Sequence, residues 1–419
     1  MQITIITVGS RGDVQPYVAL GIGLQRAGHG VRLATHAEFE TLVAERGLTF
    51  CPVAGDPRTL MERHGSTRSS GSSPMRFFRQ FAEVARQIIA EMVQDCWRAA
   101  AGSDALIVSA PGCFVGYHIA QKLRIPLIPA YVQPFTRTRA FPNPFFPPGL
   151  SAGWYNRLTY PAFEGIAWAL TGRIIDRVRR EVLDLPPLGL PGPFPDLHRP
   201  SHPHLYGFSP SVVPRPSDWP DWHHTTGYWF LDRPAEWRPP AALTDFLVSG
   251  PAPVYVGFGS MADRSPEETL RTVLAALRRS GQRGILVAGW GGLGSAHLPD
   301  EVLALESVPH DWLFPRCAAV VHHGGAGTTA AGLRAGVPSI TVPFFADQPF
   351  WAQRVRALDA GPRPIPRRAL TTERLAAAIR LSVGTARLHA RAHVLGVRIH
   401  EEDGVGSATN LIERHVAAH

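Results

Sequence analysis

Lysine is nearly missing from this sequence: Lys122 stands alone among 42 basic residues, the rest being arginine. A Walker-type phosphate loop needs a lysine directly after its glycines, and Lys122 follows no such loop, which excludes P-loop phosphoryl chemistry. The dinucleotide fingerprint Gly-x-Gly-x-x-Gly is also missing, because Gly9 and Gly12 run into Asp13 and Val14. No Asp-x-Asp pair is present to hold a metal on a diphosphate. Cysteine is scarce. Cys51, Cys96, Cys113 and Cys317 lie far apart without CxxC or Cys/His spacing, so they read as small apolar residues of a reducing compartment, with no disulfide and no zinc site. No apolar run reaches 18 residues, and Met1 leads straight into Gln2-Ile3-Thr4-Ile5-Ile6 without a basic leader. Neither a membrane span nor a signal peptide is expected, and the reading is a soluble cytoplasmic protein, with peripheral membrane contact left open. The net charge is +8, but the arginines are scattered and no basic run interleaves with aromatics, so nucleic acid is not an expected partner.

What is present is enough apolar sequence, 45% of 419 residues, for two cores of roughly 200 residues each. Ile3 to Val8 reads as a strand, Gly9-Ser10-Arg11-Gly12-Asp13 as a loop, Tyr17 to Gln25 as a helix, and Val31 to Ala34 as the next strand. Asp104 to Ala110, Gly116 to Leu123 and Pro126 to Tyr131 continue that alternation, the rhythm of a parallel doubly wound α/β sheet. Arg58 to Pro74 reads as a polar loop, and Met75 to Arg98 as an amphipathic helix whose aromatic face either packs on the core or lines a pocket. Pro134 to Pro148 is apolar and proline-rich, and reads either as a pocket wall or as a rigid surface loop. After a helical segment Trp154 to Leu185, the run Pro186 to Pro240 reads as an extended crossing. Val254 to Phe258, Pro266 to Arg279 and Gly284 to Ala288 then open a second strand–helix–strand series. The expected division is a first domain over 1–220, a linker over 221–240, a second domain over 241–395 and a carboxyl-terminal helical segment over 396–419 that packs back on the first.

The second series centres on His322-His323-Gly324-Gly325-Ala326-Gly327-Thr328-Thr329, where an apolar run ends in a glycine turn that opens a helix. Such a turn brings backbone N–H groups close to an anion, and the first helical turn carries partial positive charge. The histidine and threonine hydroxyls add donors suited to a diphosphate; the alternative is an ordinary strand-to-helix turn. With polar loops at the strand ends of two facing Rossmann-like halves, a nucleotide-bearing ligand in the cleft is the expectation. Without a metal, the N–H groups, His323 and Thr328 would stabilise a departing diphosphate, which fits group transfer. Asp13 suits a base that takes a proton from an attacking hydroxyl, or else a helix N-cap. Asp347 and Gln348 suit sugar hydroxyls, or else a turn, and His310 suits a ribose, or else a loop.

Gly9-Ser10-Arg11-Gly12-Asp13-Val14-Gln15-Pro16, Thr136 to Ala140, Phe208 to Pro214 and Thr226 to Phe230 resemble motifs of the sterol 3-beta-glucosyltransferases. Val256 to Met261, Val308 to Phe314 and the His322 to Thr329 turn resemble the second half of the same group, related to bacterial antibiotic glycosyltransferases of the GT1 family. The resemblance covers nearly the whole chain. It implies the GT-B fold and a UDP-glycosyltransferase: an inverting, metal-independent hexosyltransferase that needs no cofactor beyond its nucleotide-sugar co-substrate and acts on a large hydrophobic acceptor. It implies Asp13 as base. It implies donor contacts at Ser10, Arg11, Gly12, Ser260, Val308, His310, His323, Gly325, Gly327, Thr328, Thr329, Asp347 and Gln348. No tryptophan precedes Pro309 where plant members stack uracil, which leaves UDP-glucose and TDP-sugars both open. Acceptor contact is expected at Phe77, Phe81, Tyr131, Phe135 and Phe141, the acceptor being a sterol, triterpenoid, macrolide or other polyketide. The rival functions are a nucleotide-sugar epimerase, which needs no acceptor wall, and a catalytically silent lipid- or nucleotide-binding protein.

Overall fold

The structure, a computed structural model, describes residues 1–55, 88–147, 152–259, 266–287 and 298–418. The chain forms two compact units, one from the described residues up to Leu231 together with those from Glu402 onward, the other from Asp232 to Glu401.

The first unit is built on seven parallel strands: β1 (Gln2–Ile6), β2 (Gly30–His36), β3 (Thr49–Val53), β4 (Ala105–Val108), β5 (Leu127–Tyr131), β6 (His204–Tyr206) and β7 (His223–Thr225), in the order β3-β2-β1-β4-β5-β6-β7. Ile3, Ile5, Ile6 and every residue of β4 are fully buried, as the β-branched runs require of a parallel sheet covered on both faces. The order reverses between β1 and β4, which pair from Ile3 with Ala105 to Ile6 with Val108. At such a reversal the following loops diverge to opposite faces and leave a crevice at the carboxyl ends, where open α/β sheets bind ligands. Helix α1 (Arg11–Arg26) follows β1 and α2 (Cys113–Leu123) follows β4.

One expectation is corrected here. The run 186–240, including the part expected as a linker, contributes β6 and β7 to the first sheet. Three residues each, with three histidines among the six, these strands carry no periodic signal and are held by their neighbours. The Pro134 to Pro148 stretch is bound to helix α3 (Gly153–Glu181) where it is described: Asn143 N donates to Thr159 Oγ1 at 2.8 Å, Asn156 Nδ2 to Arg139 O at 2.9 Å and Tyr160 Oη to Phe141 O at 3.2 Å.

The second unit holds five parallel strands, β8 (Val254–Gly257), β9 (Gly284–Val287), β10 (Val302–Leu305), β11 (Ala319–His322) and β12 (Ser339–Thr341), in the order β10-β9-β8-β11-β12. Its helices include α4 (Pro266–Ser280), α5 (Ala326–Arg334), α6 (Gln348–Ala357), α7 (Thr372–Gly384) and α8 (Ala386–His400). Alternate residues serve opposite faces: Val254 and Val256 pack with Val273, Leu277, Leu375 and Ile379, while Tyr255 packs with Leu243, Leu313 and Phe314. Here too the order reverses, between β8 and β11.

Of residues 396–419, those through His400 complete α8, and α9 (Gly404–Ala417) packs on α1 of the first unit. A Cβ on Gly23 of α1 would stand 2.2 Å from Val405 Cγ1, so the absence of a side chain lets α9 approach. Asp403 caps α9 by accepting from Gly406 N at 2.8 Å, and His29 Nε2 lies 2.9 Å from Glu413 Oε1. Among the described residues no helix is long and apolar enough to cross a membrane.

Candidate active site

In the first unit the carboxyl end of β1 turns through Gly9, at φ +131°, into α1. Ser10 is the N-cap and Asp13 the third helical residue, so the expected alternative of Asp13 as the cap is corrected. Its carboxylate instead folds back. Asp13 Oδ2 accepts from Ser10 N and from Ser10 Oγ, both at 2.9 Å, while Thr7 Oγ1 donates to Asp13 O at 2.6 Å. The helix N-terminus favours the charged form of a carboxylate placed there. Arg11 and Gly12 are exposed on the same turn. Across the reversal point, Ser109 N donates to Ile6 O at 3.0 Å, and a Cβ on Gly112 would stand 2.6 Å from that same oxygen, so the β4 loop closes over the end of β1. One turn beyond Asp13, Tyr17 Oη donates to Ala130 O at 2.6 Å; burial, and then the charge of Asp13, raises its phenol well above the ordinary value.

In the second unit β11 ends at His322, Gly324 turns at φ +87°, and α5 begins with Gly325 as N-cap. The first helical bond runs from Thr329 N to Gly325 O at 2.9 Å, so the N–H groups of 326–328 have no carbonyl one turn back within the helix. The His323 ring lies between two glycines: a Cβ on Gly259, after β8, would stand 3.2 Å from its Cε1, and one on Gly325 would stand 2.4 Å from its Nε2. The imidazole thus fills the crevice where the strand order reverses. Burial holds it down to about 4, so it is neutral at physiological pH, and its Nδ1 has no partner among the described residues. Gly327 and Thr328 sit on the open first turn, whereas Thr329 is fully buried and its Oγ1 has no partner among the described residues.

The turn after β12 lies against this cradle, since a Cβ on Gly324 would stand 3.1 Å from Gln348 O. Gln348 Oε1 accepts from Phe344 N at 2.7 Å and Phe345 N at 3.3 Å, closing the turn over Ala346, whose φ is +56°. Non-glycine residues in that region store strain and cluster at functional turns. Asp347 Oδ2 accepts from Trp351 Nε1 at 2.9 Å, which orients the carboxylate. His310 stacks on Phe314 at 4.3 Å and its Nε2 lies 3.3 Å from Tyr255 Oη, while the Val308 side chain is buried in the core. Ser260 lies outside the described residues.

Of the expected acceptor residues, Phe77 and Phe81 lie outside the described residues. Tyr131 is a core residue with its ring 5.9 Å from Phe135. Phe135 stacks on Phe145 at 5.8 Å and on Phe163 at 5.5 Å, and Phe141 meets the edge of Trp219 at 6.5 Å. The sequence reading missed Phe163 and, beside it, Glu164, which joins Arg137 and His198 Nε2, the latter at 3.0 Å. Burial opposes the Glu164 charge, but hydrogen bonds from His198 and Arg137 outweigh it and hold the carboxyl below its ordinary range. Both residues sat inside the helical segment Trp154 to Leu185, where spacing does not separate a pocket face from a core face. Among the described residues no three His, Cys, Asp or Glu side chains are grouped to hold a metal ion.

Known proteins share parts of the sequence and the fold. Residues 3–142 match the glycosyltransferase family 28 N-terminal domain, and residues 287–402 match the erythromycin biosynthesis protein CIII-like C-terminal domain. The chain is 40% identical, over 99% of its length, to the sterol 3-beta-glucosyltransferase of Cryptococcus neoformans var. neoformans serotype D (strain JEC21), and 41% identical, again over 99%, to that of Emericella nidulans. It spans only 27% and 30% of the length of those two relatives. Among solved structures, the glycosyltransferase of kitacinnamycin superposes with a TM-score of 0.70 at 21% identity, covering 99% of this chain and 98% of that one, which shows a shared fold. Two parallel sheets that each reverse order at a glycine-bearing loop give the chain the GT-B fold, and its sequence is similar to that of the sterol 3-beta-glucosyltransferases.

Proposed function

We propose that the chain transfers glucose from UDP-glucose to a hydroxyl of a large apolar alcohol such as a sterol or polyketide, with inversion and without a metal ion. The observation that carries this reading is the neutral His323 ring seated between Gly259 and Gly325 beside the open N-terminus of α5. Such an arrangement stabilises negative charge that appears as a diphosphate leaves. In the step proposed, the acceptor oxygen bonds to the anomeric carbon as the bond from that carbon to the diphosphate oxygen breaks. The hydroxyl proton passes to Asp13, and UDP departs with the electron pair. His323, Thr328 and the N–H groups of the α5 first turn receive the diphosphate charge, and Asp347 and Gln348 hold the sugar hydroxyls. A carboxylate at a helix start is a weak base, so Asp13 takes its proton late, as the oxygen acquires positive charge. The apolar acceptor is supported by the stacked Phe135, Phe145 and Phe163, and by the 40% identity to sterol 3-beta-glucosyltransferases.

Incubation with UDP-glucose or a TDP-sugar and a panel of sterols, triterpenoids and macrolides, read by mass spectrometry, tests this. Hexose added to at least one alcohol is the expected result. Consumption of neither nucleotide sugar with any apolar alcohol defeats the proposal, and isomerised sugar formed without acceptor replaces it with an epimerase.

A further inference from the structure

The histidine that precedes the diphosphate cradle has its own geometry. His322 ends β11, is fully exposed to neither face, with 0% accessibility, and sits in an otherwise apolar strand Ala319-Val320-Val321. Its Nε2 has no partner among the described residues. A buried imidazole with an unpartnered Nε2 carries a desolvation cost that its other nitrogen must offset. That other nitrogen, Nδ1, lies 3.1 Å from the Gly324 N–H and accepts from it.

Gly324 is buried and held at φ +87°, and a Cβ there would stand 3.1 Å from Gln348 O. A buried turn N–H at that position has no strand partner to fall back on, and His322 supplies one from two residues earlier in the chain. The bond fixes the direction in which the chain leaves β11, and therefore where His323 and the first turn of α5 point.

We infer that His322 is a positioning residue: by accepting the Gly324 N–H at Nδ1, it sets the turn that aims His323 and the α5 N-terminus at the donor diphosphate. This rests on the reading of that turn as the diphosphate cradle. The role requires an uncharged ring carrying its hydrogen on Nε2, because a protonated Nδ1 cannot accept. Burial, and then the neighbouring His323 and His310, push the imidazole down to about 3, which keeps it uncharged through the physiological range.

Long-range ¹H–¹⁵N spectra of the full chain, with UDP titrations of the wild type, His322→Asn and His322→Leu, test the inference. The spectra are expected to show one buried imidazole protonated on Nε2 only, between pH 5 and 8. His322→Asn, whose amide oxygen takes the place of Nδ1, is expected to bind UDP within about threefold of the wild type. His322→Leu is expected to lose about tenfold or more while its melting temperature stays within a few degrees, because it removes the unpartnered Nε2–H and leaves the Gly324 N–H unpartnered in its place, a split that a purely structural role would not give. A ring protonated on Nδ1, or a folded His322→Leu chain that binds UDP as the wild type does, overturns the assignment. A wild type that binds neither UDP nor inorganic diphosphate overturns the function reading and the ligand role together, and is told apart by spectra that still show the Nε2–H tautomer.

Discussion

A Cβ placed on Gly9 would stand 2.6 Å from Asp13 Oδ2, so the catalytic carboxylate proposed here occupies space that only a glycine leaves open. Gly9 also holds φ at +131°, where a side chain adds backbone strain of about 1–3 kcal/mol. Gly9→Ala is therefore expected to displace the Asp13 carboxylate and lower kcat by about 100-fold, the scale of a displaced reacting group. UDP affinity, measured by calorimetry, should stay within about threefold. An unchanged kcat would show that the carboxylate position does not matter to transfer.

Gly325 gives the complementary test in the second unit. Its φ of −63° and ψ of +150° admit any residue, so Gly325→Ala acts only through the new Cβ, 2.4 Å from His323 Nε2. The expected outcome is an unchanged thermal midpoint with UDP affinity reduced by about tenfold or more. Equal affinity in the two proteins would remove His323 from the diphosphate site.

Buried imidazoles set the acid behaviour, His204 and His323 among them. His118, His223 and His322 are each pushed down to about 3 by burial as the leading cause, and each has an Nε2 without a partner among the described residues. An unfolded histidine titrates near 6.5, so between that value and about 3 the unfolded chain binds more protons than the folded one. Stability is then fully present above pH 6.5 and is lost as pH falls, by about 1.4 kcal/mol per pH unit for each group. Urea midpoints at pH 7.5, 6 and 5 are expected to drop steeply below 6.5, less so in His322→Leu. A flat profile from 7.5 to 5 would contradict the buried neutral state.

Gly23 and Val405 are a packing pair. Glycine to alanine inside an exposed helix gains about 1 kcal/mol, but here the new methyl meets Val405 Cγ1 at 2.2 Å. Gly23→Ala is expected to melt several degrees below the wild type, and Gly23→Ala with Val405→Ala to recover, with a coupling of about 1 kcal/mol or more from the cycle. Additive effects would mean that α9 does not rest on α1 at this point.

The long parallel strands were legible because burial on both faces demands unbroken apolar, β-branched runs, and β1, β4, β5, β8, β9 and β11 have them. The glycine turn after β11 was legible because its His and Thr flank the glycines at a strand end. Other elements gave no such signal. β6 and β7 draw their stability from neighbouring strands, and β10 is only half buried along its length. Helix α8 hides its apolar stripe, Leu388, Ala392, Leu395 and Ile399, among arginines and histidines. The alternative of Asp13 as N-cap fails because Ser10, three residues earlier, holds that position. His322 was invisible as a functional residue, since only the turn it closes distinguishes it from a core histidine.

The return of the chain at Glu402 makes the second unit an insertion within the first, entered after Leu231 and left after Glu401. Exchange of second units between relatives therefore needs two junctions. A single splice after Leu231 would bring a foreign α9 against the native α1, and the Gly23–Val405 fit would have to be inherited from two parents at once. Recombination that preserves this contact moves residues 232–401 as one cassette.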